Sequence, residues 1–287
     1  MTTVPTEQPS SPAQTERKPL SNLAQRVLTG LLLLPIVLGA VIIGGLPLTG
    51  LVSAIVLIGV LEFFQLARNR AIHGRAVLGV PMALAVVISF HLNELIVAVA
   101  ALLVGTAAAA FIDRLSGRTP RQSALTALVT LVGVIYIAVP AGFLIALRAQ
   151  PDGLVWVLII LAITWGTDSC AYIGGRLWGR TPLAPLLSPK KTREGALVGV
   201  LGGLAPATVL LAVGGQVSPF AIIMILIGPF VAILGDLVES GLKRAFNVKD
   251  SAIPGLEIFP GHGGVLDRVD ALILVTTFCF FYIQLFL

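Results

Sequence analysis

Long apolar runs separated by short polar stretches dominate the chain from residue 27 to its end. A helix needs about 20 mostly apolar residues to cross the hydrocarbon core of a bilayer. The pattern therefore predicts nine membrane-spanning helices, with the ranges 27–43, 47–67, 76–91, 94–112, 124–147, 154–173, 195–214, 218–238 and 268–287. The first and third runs are short, so a bundle of eight spans is the alternative.

The distribution of lysine and arginine tests this count independently of hydropathy. Cytoplasmic loops of membrane proteins collect these residues. If the N-terminus is cytoplasmic, all but one of the 19 cations fall on the cytoplasmic side, because only Arg148 lies on the other. A wrong number of spans would scramble that sorting. We therefore expect an all-α polytopic bundle with a cytoplasmic N-terminus, short outer turns and two long inner loops at 174–194 and 239–267.

The composition agrees with that class. Hydrophobic residues make up 56% of the 287 residues and charged residues 11%, whereas soluble domains are roughly a quarter charged. The net charge of +5 favours a membrane surface and anionic ligands, and we expect no nucleic-acid partner because no soluble basic domain remains. Cys170 and Cys279 lie in apolar runs without metal-ligand spacing, so we interpret them as buried hydrophobic residues.

Acidic residues inside apolar spans are costly and by default mark functional sites. In the predicted topology Glu62, Asp168, Asp236 and Asp270 all come near the cytoplasmic ends of spans. Asp267 lies three residues before Asp270, on the same helix face. Carboxylates that are distant in sequence thus meet at one depth beside both basic loops, an arrangement suited to Mg²⁺ and phosphate groups.

Two further patterns place polar groups at the same depth. Asp236, Glu239, Ser240 and Lys243 form a single stripe if their helix continues past the membrane edge. The run 260–264 cannot be a regular helix, because it contains proline and three glycines. Its backbone N–H groups precede a helix start, which is a favourable place for an anion.

Structural alternatives exist for several of these residues. A residue such as Glu62, taken alone, is more often a helix cap or a snorkelling group, and Asp168 could make a buried hydrogen bond. Lys243 and Arg244 could anchor the chain to lipid headgroups. We expect His262 to cap or orient a loop more than to bind a metal.

Two glycine patterns receive structural interpretations. Gly195, Gly199 and Gly203 are spaced four apart and predict a close-packing face for a neighbouring helix. The run 174–181 nearly spells a P-loop, but Arg180 stands where lysine is required, and the run follows a membrane span instead of a strand. We expect a glycine-rich turn leaving the bilayer there.

Three stretches of the C-terminal half carry a long pattern of mixed residue types. They read Asp168-Ser-x-Ala171-Tyr172 followed by Ser188-Pro-Lys-Lys-Thr-x-Glu194-Gly195, then Gly235-Asp236-Leu-x-Glu239-Ser240, and finally Ser240-x-x-Lys243-Arg244 with Lys249-Asp250 and His262-Gly263-Gly264-x-x-Asp267-Arg268-x-Asp270. This pattern resembles the signature of the phosphatidate cytidylyltransferase family. Residues 160–287 carry the resemblance, and the first half matches only as membrane spans. One departure is a longer stretch between Asp250 and His262 than the family pattern has.

The resemblance implies that CTP and phosphatidic acid react to give CDP-diacylglycerol and pyrophosphate, with Mg²⁺ as the required cofactor. It assigns Asp236 and Asp267 as metal ligands, and a second cation is an open hypothesis. The family's basic positions carry over to Lys190, Lys191, Lys243 and Arg244.

The resemblance and the charge pattern together define a hypothetical site. Its catalytic candidates are Asp236, Lys243, Asp267 and Asp270. Its substrate-binding candidates are Asp168, Ser188, Lys190, Lys191, Arg193, Lys243, Arg244, His262, Gly263, Gly264 and Arg268. Lys190 and Lys191 would take the triphosphate. Lys243 and Arg244 would take the lipid phosphate at headgroup depth.

We expect the chain to divide into a disordered tail at 1–19, an N-terminal transmembrane region at 20–153 and a catalytic transmembrane region at 154–287. The protein would lie in the cell membrane with its site facing the cytoplasm, and glycine-rich helix faces and the family both indicate a homodimer. A CTP-dependent lipid kinase, which transfers a γ-phosphate to a lipid alcohol, is the alternative enzyme. A transporter of an anionic substrate is the alternative from another class, although the acids lie at one membrane edge and no internal repeat is visible.

Overall fold

The structure is a computed structural model that describes residues 22–70, 72–248, 250–253 and 263–287, and the predicted tail at 1–19 lies outside them. Within the described residues the chain forms nine α-helices and one short hairpin. The helices are α1 (Asn22–Ile43), α2 (Gly45–Arg68), α3 (Ala76–Leu92), α4 (Leu95–Leu115), α5 (Pro120–Arg148), α6 (Gly153–Trp178), α7 (Arg193–Val213), α8 (Pro219–Ala245) and α9 (Leu266–Phe286). Strands β1 (Pro182–Ala184) and β2 (Ser188–Thr192) lie between α6 and α7 and pair antiparallel.

The helices confirm the predicted all-α membrane bundle. Seven helices of the described part are long and apolar enough to span a membrane. The remaining apolar stretches, Leu32–Ile43 of α1 and Ala76–Leu92 of α3, are shorter, as the sequence predicts for the first and third segments. The protein is therefore a multi-pass membrane protein.

Polar contacts between helix ends show which ends lie together. Arg75, just before α3, forms an ion pair with Asp113 near the end of α4, and its Nε donates to Asp113 Oδ1 at 2.7 Å. Arg70, just after α2, donates to the carbonyl oxygen of Ala245 at the end of α8, over 2.9 Å. Helices α2, α4 and α8 thus end at the face of the bundle where α3 begins. We call this the basic face.

Arg148, the cation predicted on the outer side, closes a helix end at the opposite face. Its Nε donates to the carbonyl oxygen of Val41 at 2.6 Å and its Nη2 to that of Ile42 at 2.7 Å. Carbonyl groups in the last turn of a helix lack partners inside the helix and carry partial negative charge, so an arginine stabilises them. A structural role therefore accounts for the exceptional position of Arg148. That the basic face is cytoplasmic stays a prediction.

Glycines bring α6 and α7 into close contact. A Cβ atom added at Gly199 would lie 2.8 Å from the carbonyl oxygen of Thr167, and one added at Gly195 would lie 2.8 Å from that of Ala171. Gly203 faces the hydroxyl of Thr167 in the same way. Helix backbones approach this closely only where one side lacks a side chain. The predicted close-packing face is confirmed, and its neighbour is α6.

The expected glycine-rich turn at 174–181 is wrong at its start, because α6 continues to Trp178 and Gly179 follows as its C-cap. Gly174 stays inside the helix for a packing reason, since a Cβ atom there would lie 2.5 Å from Val198 Cβ of α7. The chain then enters the β1–β2 hairpin, which the sequence did not predict. The helix that precedes it agrees with the rejection of a P-loop, which requires a preceding strand.

The hairpin is fixed against the start of α7 by hydrogen bonds. The carboxylate of Glu194, in the first turn of α7, accepts the backbone N–H of Arg180 at 3.0 Å and that of Thr181 at 3.1 Å. The hydroxyl of Thr192 caps the same helix by accepting the N–H of Gly195 at 3.1 Å. Side chains on β2 are thereby held beside α6 and α8.

Candidate active site

Helices α8 and α9 bring three carboxylates together at the basic face. Asp236 and Glu239 lie three residues apart on α8, and Asp270 lies on α9. Each residue offers one carboxylate oxygen, and these three oxygens all lie within 4.8 Å of one another. The two helices are close because of Gly235, where an added Cβ atom would lie 2.9 Å from the Cα atom of Ala271. We call Asp236, Glu239 and Asp270 the acidic cluster.

Lys243 links this cluster to Asp267. Its Nζ atom forms an ion pair with Glu239, one helical turn earlier, and lies 2.9 Å from Asp267 Oδ1. The other oxygen of Asp267, Oδ2, accepts the backbone N–H of Gly264 at 3.0 Å and that of Ser251 at 3.3 Å. Asp267 therefore borders the acidic cluster and ties it to the segment before α9.

The acidic cluster fits a small divalent cation in its donor chemistry and its burial. Glu239 is 0% exposed and Asp270 is 7% exposed, and carboxylates buried together need positive charge nearby. Mg²⁺ is bound through carboxylate and phosphate oxygens, which these residues and a nucleotide would offer. Glu239 was not among the predicted site residues, although it shares the predicted helix stripe with Asp236 and Lys243. Its spacing of i+3 from Asp236 was the available signal.

A pocket of about 570 Å³ opens beside the cluster, between α6, the hairpin, the start of α7 and α8. The side chains that line it and were predicted from the sequence are Asp168, Ser188, Lys190, Lys191 and Asp236. Tyr172 and Arg176 of α6 also line it, and neither was among the predicted site residues. They lie one turn apart on the same helix as Asp168, which is the spacing that could have identified them.

An ion pair joins the pocket to the acidic cluster. Lys191 on β2 places its Nζ atom against Asp236 Oδ2. Lys190, the neighbouring residue, is exposed at the pocket wall. The hairpin thus presents one lysine to the carboxylates and a second one to the open pocket, so that cationic groups face both.

Three further predicted cations lie at helix ends. Arg244 Nε donates to the carbonyl oxygen of Leu187, in the turn between β1 and β2, over 3.4 Å. Arg193 is exposed in the first turn of α7, and Arg268 is exposed in the first turn of α9. His262 lies outside the described residues.

The two glycines before α9 serve the fold around Asp267. Gly263 has φ +76°, a conformation that side-chain-bearing residues rarely adopt, and a Cβ atom there would lie 2.6 Å from Asp267 Oδ2. The N–H of Gly264 is donated to the same oxygen. The backbone donor that we expected to meet an anion at Gly264 is therefore bonded to the protein's own carboxylate.

Glu62 of α2 is a helix cap, as its structural alternative proposed. Its two carboxylate oxygens accept the backbone N–H groups of Val265 at 2.8 Å and of Leu266 at 2.7 Å. Val265 is the N-cap residue of α9 and Leu266 is its first residue. A carboxylate near a helix N-terminus is stabilised by the free N–H groups and by the helix dipole.

Comparison with known proteins decides the family. The model of the cytidylyltransferase family matches residues 24–286. The chain belongs to this family. A protein of Bacillus subtilis named phosphatidate cytidylyltransferase is 31% identical over 277 residues, which cover 92% of this chain and 99% of that protein. The match thus includes the N-terminal half as well as the motifs.

Other members of the family match over a shorter range. A protein of Staphylococcus haemolyticus with the same name is 40% identical over 157 residues, which are 54% of this chain and 58% of that protein. A protein of Brucella suis, also named phosphatidate cytidylyltransferase, is 39% identical over 159 residues, or 54% of this chain and 56% of that protein. With these two relatives the match spans little more than half of the relative's length.

Proposed function

We propose that this protein is a phosphatidate cytidylyltransferase that converts CTP and phosphatidic acid into CDP-diacylglycerol and pyrophosphate. The observation that carries the proposal is the acidic cluster beside a cation-lined pocket at one face of a membrane bundle. Membership of the cytidylyltransferase family, and the names of its relatives, support the same reaction.

The reaction joins two polyanions, and the positions of the cations suit that task. An oxygen of the lipid phosphate attacks the α-phosphorus of CTP, and the bond from the α-phosphorus to the oxygen that bridges to the β-phosphate breaks. Pyrophosphate then leaves with that oxygen. Such transfers depend mainly on positioning and electrostatic stabilisation, and no nucleophile from the protein is required.

Lys190, Lys191 and Arg176 would bind the triphosphate, because all three line the pocket. Arginine and lysine form strong charge-assisted hydrogen bonds with phosphate oxygens. Lys191 currently pairs with Asp236, so binding of the triphosphate would exchange a carboxylate partner for phosphate oxygens. That exchange couples nucleotide binding to the state of the acidic cluster.

Asp236, Glu239 and Asp270 would hold Mg²⁺, and Asp267, which the resemblance assigns as a ligand, borders them through Lys243. A bound Mg²⁺ would neutralise charge on the phosphate oxygens and polarise the phosphorus centre. Lys243 is held between two carboxylates. Its fixed ammonium group would balance their charge and face the lipid phosphate.

The position of exposed aromatic residues near the pocket supports a lipid acceptor. Tyr172 is 63% exposed and Trp178 is 59% exposed, both in the last two turns of α6. Aromatic residues with a polar edge are enriched at the membrane–water interface. A pocket lined by Tyr172, with Trp178 at the end of the same helix, would lie at headgroup depth, where the phosphate of phosphatidic acid is found. The basic face would then be cytoplasmic, with CTP entering from the cytosol.

The identity of the labelled product tests the proposal. Purified protein in mixed micelles with phosphatidic acid and Mg²⁺ should move the α-phosphorus label of CTP into a chloroform-soluble product and release an equal amount of pyrophosphate. A matched pair of variants, Asp236→Asn at the site and Glu94→Gln in the exposed link between α3 and α4, should separate the site from the rest of the surface. Transfer of γ-phosphorus label to a lipid alcohol, with CDP released, would instead identify a lipid kinase.

A further inference from the structure

Glu62 is a buried carboxylate in the first half of the chain that accepts hydrogen bonds from residues of the second half. It is 3% exposed. Besides the N–H groups of Val265 and Leu266, it accepts a hydrogen bond from the hydroxyl of Ser251 at 3.2 Å, through Oε2. A residue of α2 thus holds both the start of α9 and the described part of the segment that follows α8.

The glycine at position 264, just before α9, leaves room for this carboxylate. A Cβ atom at Gly264 would lie 2.6 Å from Glu62 Oε2 and still closer to Ser251 Oγ. Carbon and oxygen atoms do not approach to that distance without displacement, so residue 264 must be glycine for Glu62 to reach the helix start. The glycine in the motif and the glutamate on α2 therefore belong to one arrangement.

A continuous chain of hydrogen bonds and ion pairs connects Glu62 with the acidic cluster. Ser251 donates its hydroxyl to Glu62 and its backbone N–H to Asp267, over 3.3 Å. Asp267 pairs with Lys243, which pairs with Glu239. Asp270 lies one turn further along the helix that Glu62 caps. Glu62 is thus connected to Glu239 of α8 through Lys243, and to Asp270 through the helix that it caps.

We propose that Glu62 is a positioning residue of the active site: it fixes the N-terminus of α9 so that Asp267 and Asp270 are held in register with Asp236 and Glu239 of α8. This inference rests on the proposed function for its meaning in catalysis, while its structural content stands on the contacts themselves. Residues that orient metal ligands without touching the metal commonly change metal affinity or activity by about 10- to 100-fold when replaced.

Replacement by glutamine isolates the role of the carboxylate. Glutamine has nearly the same volume, but its amide nitrogen is a donor and cannot accept a backbone N–H. In Glu62→Gln at least one of the three donors around Oε1 and Oε2 loses its acceptor. Glu62→Asp keeps both acceptor oxygens on a shorter side chain. Thr49→Val, at the other end of α2, removes a buried hydroxyl that bonds to Gly45 and His91 and serves as the structural control.

Three measurements on the full-length protein in detergent test the proposal. Amide hydrogen exchange of the peptide spanning 263–267 should speed up by about 10-fold or more in Glu62→Gln, since a buried donor loses its partner. The dissociation constant of Mn²⁺, added alone and followed by electron paramagnetic resonance, should rise by about 10-fold, and the half-saturating Mg²⁺ concentration for pyrophosphate release should rise in parallel. Glu62→Asp should give smaller shifts in the same direction, and Thr49→Val should shift none of the three.

These outcomes separate the inference from the function on which it rests. If wild-type protein releases no pyrophosphate, the proposed function fails, while hydrogen exchange and Mn²⁺ binding still decide the role of Glu62. Unchanged exchange and unchanged Mn²⁺ affinity in a folded Glu62→Gln variant would overturn the inference. An equal loss of activity in Glu62→Gln and Thr49→Val, with the Mg²⁺ requirement unchanged in both, would also overturn the inference. A general loss of stability lowers the active fraction without changing the metal dependence. If Glu62→Gln does not fold, Glu62→Asp carries the same comparison.

Discussion

Lys191 on strand β2 and Asp236 on helix α8 form an ion pair at the boundary between the nucleotide-sized pocket and the acidic cluster. Both side chains are about a quarter to a third exposed, at 25% and 32%. The Nζ atom of Lys191 is itself buried, so the pair would exchange partners only with a ligand that enters the pocket. A cation that binds the carboxylate of Asp236 would displace Lys191. A phosphate group that binds Lys191 would free Asp236 to bind a cation.

Replacing Lys191 should weaken use of CTP more than use of the lipid. A charge-assisted hydrogen bond to phosphate is worth about 1.5–3 kcal/mol, so Lys191→Met should lower kcat/KM for CTP by about 10- to 100-fold. The control is Arg121→Met, which removes an exposed cation from the first turn of α5 and should leave CTP kinetics unchanged. Steady-state kinetics with CTP varied at saturating phosphatidic acid measure the effect. An unaltered KM and kcat for CTP in Lys191→Met would exclude the assigned contact.

The glycine before α9 should tolerate no side chain. In Gly264→Ala the added methyl group meets Glu62 and Ser251, and overpacking of this kind costs about 1–3 kcal/mol. We expect a lower thermal unfolding temperature together with reduced pyrophosphate release. Gly50→Ala in α2 is the matched control, since a Cβ atom there meets nothing within 4 Å, and it should unfold at or above the wild-type temperature. Equal unfolding temperatures for both variants would contradict the contact.

The contact between α6 and α7 should tolerate a larger side chain equally poorly. In Gly199→Leu the side chain would have to displace the backbone around Thr167 and Ala171. We expect destabilisation of about 1–3 kcal/mol or more, whereas Gly50→Leu on an uncrowded surface should cost little. Thermal unfolding in the same detergent, followed by tryptophan fluorescence, compares the two. A Gly199→Leu variant as stable as Gly50→Leu would mean that these helices do not pack through their glycines.

Much of this architecture could be predicted because lipid imposes simple rules on sequence. The length of the apolar runs predicted the helices, and the spacing of the glycines predicted the face of α7 that packs on α6. The convergence of Asp168 and Asp236 at one depth followed from alternating helix direction, and Lys191 was expected in the adjoining basic loop. All three line one pocket in the structure.

Other features lay beyond local sequence rules. Glu62 caps a helix that begins about 200 residues later in the chain, a contact of sequence separation 203, and no periodicity encodes such a pairing. The hairpin at 182–192 is short and contains three prolines, and its stability comes from Glu194 and Thr192 at the start of the following helix. Glu239 could be placed beside Asp236 only on the condition that their helix continues past the predicted membrane edge, and α8 does continue to Ala245.

Labelling from one side of the membrane should establish orientation. Asp152 lies in the link between α5 and α6, and its side chain makes no cap hydrogen bond to α6, so Asp152→Cys should be benign. A membrane-impermeant maleimide should label Asp152→Cys in intact cells and Arg121→Cys only after the membrane is opened. The wild-type chain, with Cys170 half-buried and Cys279 buried, gives the background. The reverse pattern would place the acidic cluster on the outer side, away from cytosolic CTP.

The central claim is that the carboxylates of α8 and α9 hold the divalent ion on which the transfer of the cytidylyl group depends. The most direct measurement is Mg²⁺-dependent release of pyrophosphate by Asp236→Asn and Glu239→Gln, with Glu94→Gln as the control and folding confirmed by thermal unfolding. Direct ligands should matter at least as much as the residues that orient them, so we expect both site variants to lose about 100-fold or more in rate and to need more Mg²⁺. Rates and Mg²⁺ requirements equal to those of Glu94→Gln in both variants would contradict the account.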